Sequence, residues 1–260
     1  MPDKFLHMEA LRRILTPINV SRCYEFSRTF DCLRPEKGDL ILDLSSPKLL
    51  SVYIKEKVGC RVVTSDINID EIRDWKSLTD HKKAKPEWLL IDGQNTGFRN
   101  NSFDKVFSIS VLEHIAGDGD AKTVKELGRI LKPGGRLVFT VPFSLKYREE
   151  SRREDVYDLY TEEQKDFHWS HYYDEDTIRE KLVRDSGLVL ENMYFGYGTG
   201  SLIWKRIERL GRYGFPFWFF SMFLAGFGLK ESAKQPPALT DDHCLVMVVV
   251  LTKEENTHDQ

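Results

Sequence analysis

Apolar residues in this chain fall into two kinds of run. Short, nearly continuous runs rich in β-branched residues occur at D-L-I-L-D-L (39–44), R-V-V-T-S (61–65), W-L-L-I (88–91), K-V-F-S-I (105–109), G-R-L-V-F-T-V (135–141), 188–195 and H-C-L-V-M-V-V-V-L (243–251). Their length and lack of polar alternation predict strands buried on both faces. Between them lie segments with helical spacing at 47–57, 70–80, 120–130 and 174–186. Their ends carry helix punctuation: Ser45 or Ser46 as a cap with Pro47 in the first turn, Asp174 as a cap, and Gly187 as a stop. The first 37 residues differ, with Phe5, Met8, Leu11, Ile14 and Leu15 at helical spacing and a second short helical segment at 24–30. The pattern predicts a helical extension over 1–37 and one α/β domain over 38–260, with excursions at about 146–173 and 196–240.

Strands alternating with helices imply a mostly parallel sheet covered on both faces. In such sheets ligands sit beyond the carboxyl ends of the strands, near the switch in strand order. Asp43, Asp66, Asp92 and the run Ser108, Ile109, Ser110 lie at those ends. The composition agrees with a normal core, since 41% of the 260 residues are hydrophobic and 30% charged. A net charge of -3 gives no footprint for general nucleic-acid binding, and no nucleic-acid partner is expected. Cys23, Cys32, Cys60 and Cys244 form no close pair, which reads as reduced thiols in a cytoplasmic protein. The start, M-P-D-K-F-L-H-M, lacks the basic-then-apolar pattern of a secretory leader.

Two phrases are more specific. F-D-K-V-F-S-I-S-V-L-E-H-I (103–115) and L-K-P-G-G-R-L-V-F-T-V-P (131–142) bracket one helix-sized segment. Together they resemble the second half of the nucleotide-binding core of class I S-adenosylmethionine-dependent methyltransferases, of the methyltransferase type 11-like kind. The resemblance covers roughly residues 38–143 and the last two strands. It implies a Rossmann-like class I methyltransferase fold, a mostly parallel seven-stranded sheet with the last strand antiparallel beside the fifth. It implies S-adenosylmethionine as cofactor and a small or lipid-like acceptor. Asp66 takes the place of the ribose-binding acid, and a carboxylate suits a vicinal diol because it accepts two hydrogen bonds. Ile67 follows it. Asp92 and Gly93 fall beside the adenine, and Ser108, Ile109 and Ser110 on the pocket floor. Asp43, Ser45 and Ser46 begin the loop that meets the methionine part. Glu113 and His114 fall on the methyl-transfer side, His114 being the candidate general base.

The loop after the first strand departs from the family. Relatives carry glycines there, whereas this chain reads D-L-S-S-P-K-L-L with no glycine between Leu44 and Val58. Ser45 and Ser46 can replace some of the contacts and Pro47 removes one amide donor, so either the cofactor sits differently, or it binds weakly, or the chain is a catalytically inactive relative that binds or scaffolds. A second strip, D-F-H-W-S-H-Y-Y-D-E-D (166–176), offers His168, His171, Tyr172 and Tyr173 as lid or acceptor-side groups. Its two histidines have no third ligand by spacing, so no metal is expected. The stretch 214–228 is strongly aromatic and flanked by basic residues. Three readings stay open for Phe215, Phe217, Trp218, Phe219 and Phe220: burial against the sheet or a second subunit, a greasy acceptor pocket, or contact with a membrane surface by a peripheral enzyme of lipid or glycan assembly.

Overall fold

The computed structural model describes residues 20–81, 85–152, 167–197, 230–235 and 244–255. The aromatic stretch 214–228 lies outside them. A central strand β1 (Leu40–Leu44) pairs in parallel with β2 (Arg61–Asp66) on one side and β4 (Phe103–Ile109) on the other. Beyond β2 lies β3 (Glu87–Leu90), and beyond β4 lies β5 (Leu131–Val141), both parallel. The switch in strand order therefore falls between β1 and β4, and sheets of this kind bind ligands at the carboxyl ends beside such a switch.

The last long strand, β10 (Cys244–Thr252), runs antiparallel to β5 and to β8 (Val189–Tyr197), as the resemblance implied. Among the described residues the sheet has eight strands rather than the expected seven, in the order β3-β2-β1-β4-β5-β10-β8-β9. The extra member is β9 (Lys230–Ser232), three polar residues on the outer edge of β8. An edge strand without an apolar face leaves no hydrophobic signature. The excursion before β8 contributes a separate hairpin, β6 (Arg148–Arg152) with β7 (Phe167–Tyr172).

Two apolar layers cover the sheet. On one face α1 (Val20–Leu33) and α2 (Leu49–Val58) pack Cys32, Leu33, Leu50 and Ile54 against Ile41, Phe107, Val138 and Val248. On the other, α4 (Gly119–Ile130) packs Val124, Leu127 and Ile130 against Leu42, Val106 and Leu137. Alternate residues of β4 thus serve opposite layers, Val106 one and Phe107 the other, as the two-fold repeat of a strand requires. Helix α3 (Ile69–Thr79) is capped by Asn68, whose side chain accepts from the amides of Asp70 and Glu71. The expected serine cap of α2 is absent. Lys48 stands at that position without a side-chain cap, since its ammonium can only donate.

The segment after β7 enters α5, an α-turn (Glu175–Thr177) continued by a wider π-turn (Ile178–Val183). Asp174 accepts from the Thr177 amide, the cap expected from sequence. A buried polar knot ties this region down: Asp120 of α4 accepts from the Tyr173 hydroxyl at 2.7 Å and from Lys181 at 2.9 Å. No helix among the described residues is long and apolar enough to cross a membrane.

The contact between α4 and the chain after α5 is tight enough to require glycine. A Cβ on Gly128 would lie 2.2 Å from the Ser186 carbonyl oxygen. Gly128→Ala is expected to destabilise the fold by roughly 1–3 kcal/mol, as overpacked sites do. Gly38→Ala, where a Cβ meets nothing within 4 Å, should change little by comparison. Urea denaturation of both variants checks the pair.

Candidate cofactor and acceptor site

The loop after β1 keeps the turn of a glycine loop without its glycines. Ser45 has φ of 55°, a left-handed conformation that costs a side-chain-bearing residue about 1 kcal/mol. The neighbours hold it there. Asp43, fully buried, accepts from the Ser46 amide at 3.0 Å and from the Ser51 hydroxyl. The Ser46 hydroxyl in turn accepts from the Ile109 amide at 2.9 Å, and the Ser45 amide donates to the Ser65 carbonyl at 3.1 Å. Asp43 and Ser46 thus shape the loop from within, and their side chains are committed to it. Burial pushes the Asp43 carboxyl up to about 6, against the pull of Lys48 and the two serines.

Lys48 is the residue the sequence reading missed. Its side chain is only 3% exposed, and its ammonium donates to Asp66 at 2.7 Å and to the Ser65 carbonyl at 2.9 Å. The acid assigned to the ribose therefore already carries a cation on one oxygen. Its other oxygen accepts from the Asn68 amide at 3.0 Å. Only the absence of glycine at this loop marked the position in the sequence.

Next to Asp66 the strand ends present an open apolar strip, with Ile67 51% and Leu90 56% exposed. Asp92 is exposed and folds its carboxylate onto the Gln94 amide. Gly93 packs closely, and a Cβ there would lie 3.0 Å from the Leu44 side chain and 3.1 Å from that of Thr123. The pocket floor departs from expectation in two side chains. The Ser108 hydroxyl is buried and donates to the Leu44 carbonyl, and Ile109 is buried in the layer beneath α1 and α2. Alternation along β4 leaves these two residues only backbone to offer a ligand.

Ser110, also left-handed at φ 50°, closes the strand. Its hydroxyl donates to Glu25 of α1 at 2.6 Å, and Thr140 of β5 donates to the same oxygen at 2.7 Å. The following 3-10 turn (Leu112–His114) buries Glu113, whose Oε2 has no hydrogen-bond partner among the described residues. Burial, with the nearby Glu25 charge, pushes the Glu113 carboxyl up to about 8, so it is protonated at neutral pH. His114 Nδ1 faces the Trp169 carbonyl, and its Nε2 lies 3.8 Å from Glu113. A carbonyl can only accept, so Nδ1 carries the hydrogen and Nε2 the lone pair. Burial holds this imidazole below its ordinary pKa, and hence neutral.

The hairpin folds over this turn. His168 Nε2 lies 2.9 Å from the Glu113 carbonyl and His171 Nε2 2.9 Å from the Ile115 carbonyl. The hydroxyls of the two tyrosines are engaged within the fold. Tyr172 donates to Glu150 with Arg148 stacked 3.5 Å over its ring, and Tyr173 is the buried partner of Asp120. Strand alternation sends Tyr172 to the outer side of the hairpin, away from His171.

Comparisons with known proteins agree with this geometry. The sequence profile of the methyltransferase domain family matches residues 42–139. Demethylmenaquinone methyltransferase of Corynebacterium kroppenstedtii is 31% identical over 124 residues, covering 45% of this chain and 51% of that protein. Probable tRNA methyltransferase 9B of Mus musculus is 31% identical over 71 residues, covering 27% of this chain and 16% of that protein. The chain thus spans about half of the first relative and a sixth of the second. Among solved structures, Burkholderia thailandensis 1,6-didemethyltoxoflavin-N1-methyltransferase, with bound 1,6-didemethyltoxoflavin and S-adenosylhomocysteine, matches with a TM-score of 0.56. That match has 15% identity over 96% of this chain and 86% of that one. Residues 42–139 thus match the methyltransferase domain family, and the chain shares the fold of these methyltransferases.

Two outcomes test the loop. Ser45→Gly relieves the left-handed strain and should stabilise the protein by about 1 kcal/mol in urea denaturation. The second is a pH dependence. Asp43 holds its proton to higher pH folded than unfolded, so the cost of ionising it appears as pH rises. Stability of the wild type relative to Asp43→Asn should therefore fall from about pH 4 to about 6 and be level above that window.

Proposed function

We propose that this protein binds S-adenosylmethionine at the carboxyl ends of β1 and β2 and is a methyltransferase acting on a small-molecule acceptor. The observation that carries the reading is Asp66 at the end of β2, beside the exposed face of Ile67 and within the span matched by the methyltransferase family. The cofactor, when bound, supplies a methyl group made electrophilic by its sulfonium.

The residues present fit that group. Each carboxylate oxygen of Asp66 has a second lone pair beyond those facing Lys48 and Asn68, which leaves capacity for a ribose diol. Ile67 and Leu90 supply apolar surface for a base, and Asp92 an acceptor at its edge. The left-handed turn at Ser45 keeps the loop backbone in the shape a glycine loop would take. On the acceptor side, Glu113 is protonated at neutral pH and His114 is neutral with its lone pair on Nε2, so His114 is the group able to take a proton from an acceptor. The relatives' names point to small-molecule acceptors in two cases and to tRNA in the third, and the net charge of this chain favours the small molecule.

Calorimetric titration with S-adenosylhomocysteine tests the reading. The wild type should bind in the micromolar range, and Asp66→Ala should weaken binding at least about tenfold, the loss of roughly 1.4 kcal/mol in charge-assisted hydrogen bonding. A second reading, a cofactor-free binding protein on this fold, is favoured by the ammonium already seated on Asp66. Absence of heat and of thermal stabilisation at millimolar ligand would overturn the first reading and support the second.

A further inference from the structure

We propose that Glu149, His168 and His171 form a binding site for one divalent cation of zinc-like softness. Each offers a ligand atom, and these atoms all lie within 4.8 Å of one another. The register of the hairpin explains the meeting: Glu149 on β6 stands opposite His171 on β7, and a register shift that skips Trp169 brings His168, three residues away, to the same side. Spacing along the chain could not show this, because the acid comes from the other strand.

The hydrogen-bond geometry around His171 shows what the site lacks. Its Nε2 faces the Ile115 carbonyl at 2.9 Å and must donate. Its Nδ1 faces the Tyr147 hydroxyl at 2.7 Å, and that hydroxyl faces Glu149 at 2.7 Å. These three contacts need three hydrogens, whereas a neutral imidazole and a phenol supply two. Two lone-pair-bearing atoms are thus left facing each other beside a carboxylate, and His171 itself is fully buried. A bound cation satisfies all of them at once.

The supports are those a metal-binding imidazole requires. His168 and His171 each direct Nε2 to a backbone carbonyl, of Glu113 and Ile115, which sets the tautomer and leaves Nδ1 as the basic nitrogen. Two imidazoles and a carboxylate are a donor set for zinc and its neighbours, not for calcium or magnesium. Glu149 is about half exposed, so a cation has an entry path and an open position for water or the Tyr147 oxygen. The Lys181 ammonium lies 5.7 Å from the Tyr147 ring and is paired with Asp120 at 2.9 Å.

The test is zinc uptake by the full chain after chelator treatment and dialysis, measured by calorimetry and metal analysis. One equivalent should bind to the wild type, and Glu149→Gln and His168→Ala should each weaken it at least about tenfold. Glu149 is exposed and His168 half-buried, and circular dichroism checks that both variants fold. Cys23→Ser removes an exposed thiol and should leave uptake unchanged. No uptake by the wild type at roughly 0.1 mM free zinc would overturn the proposal, as would equal uptake by the two hairpin variants. Because the readout is binding, its failure is distinct from failure of the methyl-transfer reading.

Discussion

The buried carboxylate of Asp43 is the constraint on which the carboxyl ends of the central strands depend. It sits at the end of the central strand, out of water, and its two oxygens accept from an amide and a hydroxyl of the segment that follows. An isolated carboxylate in that position would be costly, so the loop must stay wrapped around it. That wrapping places Ser45 in its left-handed turn, brings Ser46 against the Ile109 amide, and swings Lys48 onto Asp66 and the Ser65 carbonyl. One buried acid thereby ties together the carboxyl ends of β1, β2 and β4, three neighbouring strands of the sheet.

Around that anchor the charges are arranged in two zones. Toward β2 a cation and an anion, Lys48 and Asp66, are paired in a place that is largely shielded from water. Toward β5 the acids Glu25 and Glu113 share a buried corner, with Arg22 3.0 Å from Glu25. One acid of the corner is kept protonated and the neighbouring His114 is kept neutral. The first zone suits a ligand with hydroxyl donors, the second a reacting group that must shed a proton.

The alternation of buried strands and amphipathic helices was plain from residue types alone, because parallel strands covered on both faces read as continuous apolar runs. The antiparallel last strand and the family followed from two phrases, 103–115 and 131–142. What stayed hidden has a common cause. β9 is polar and held by edge pairing, so it has no periodicity to detect. Ser108 and Tyr172 looked like site residues because their types suit a site, but strand alternation points one into the Leu44 carbonyl and the other toward Glu150. Lys48 and Glu149 act through partners 18 and 22 residues away, Asp66 and His171. Contacts of that span come from the fold, and sequence spacing does not encode them.

The most direct test of the account is a crystal structure of the chain grown with S-adenosylhomocysteine. The account predicts the ribose hydroxyls within hydrogen-bond distance of Asp66, the base against Ile67 and Leu90, and the loop from Ser45 to Lys48 in its left-handed turn. Density for the ligand elsewhere, or a Lys48–Asp66 pair that remains closed with no ligand at saturating concentration, would contradict it.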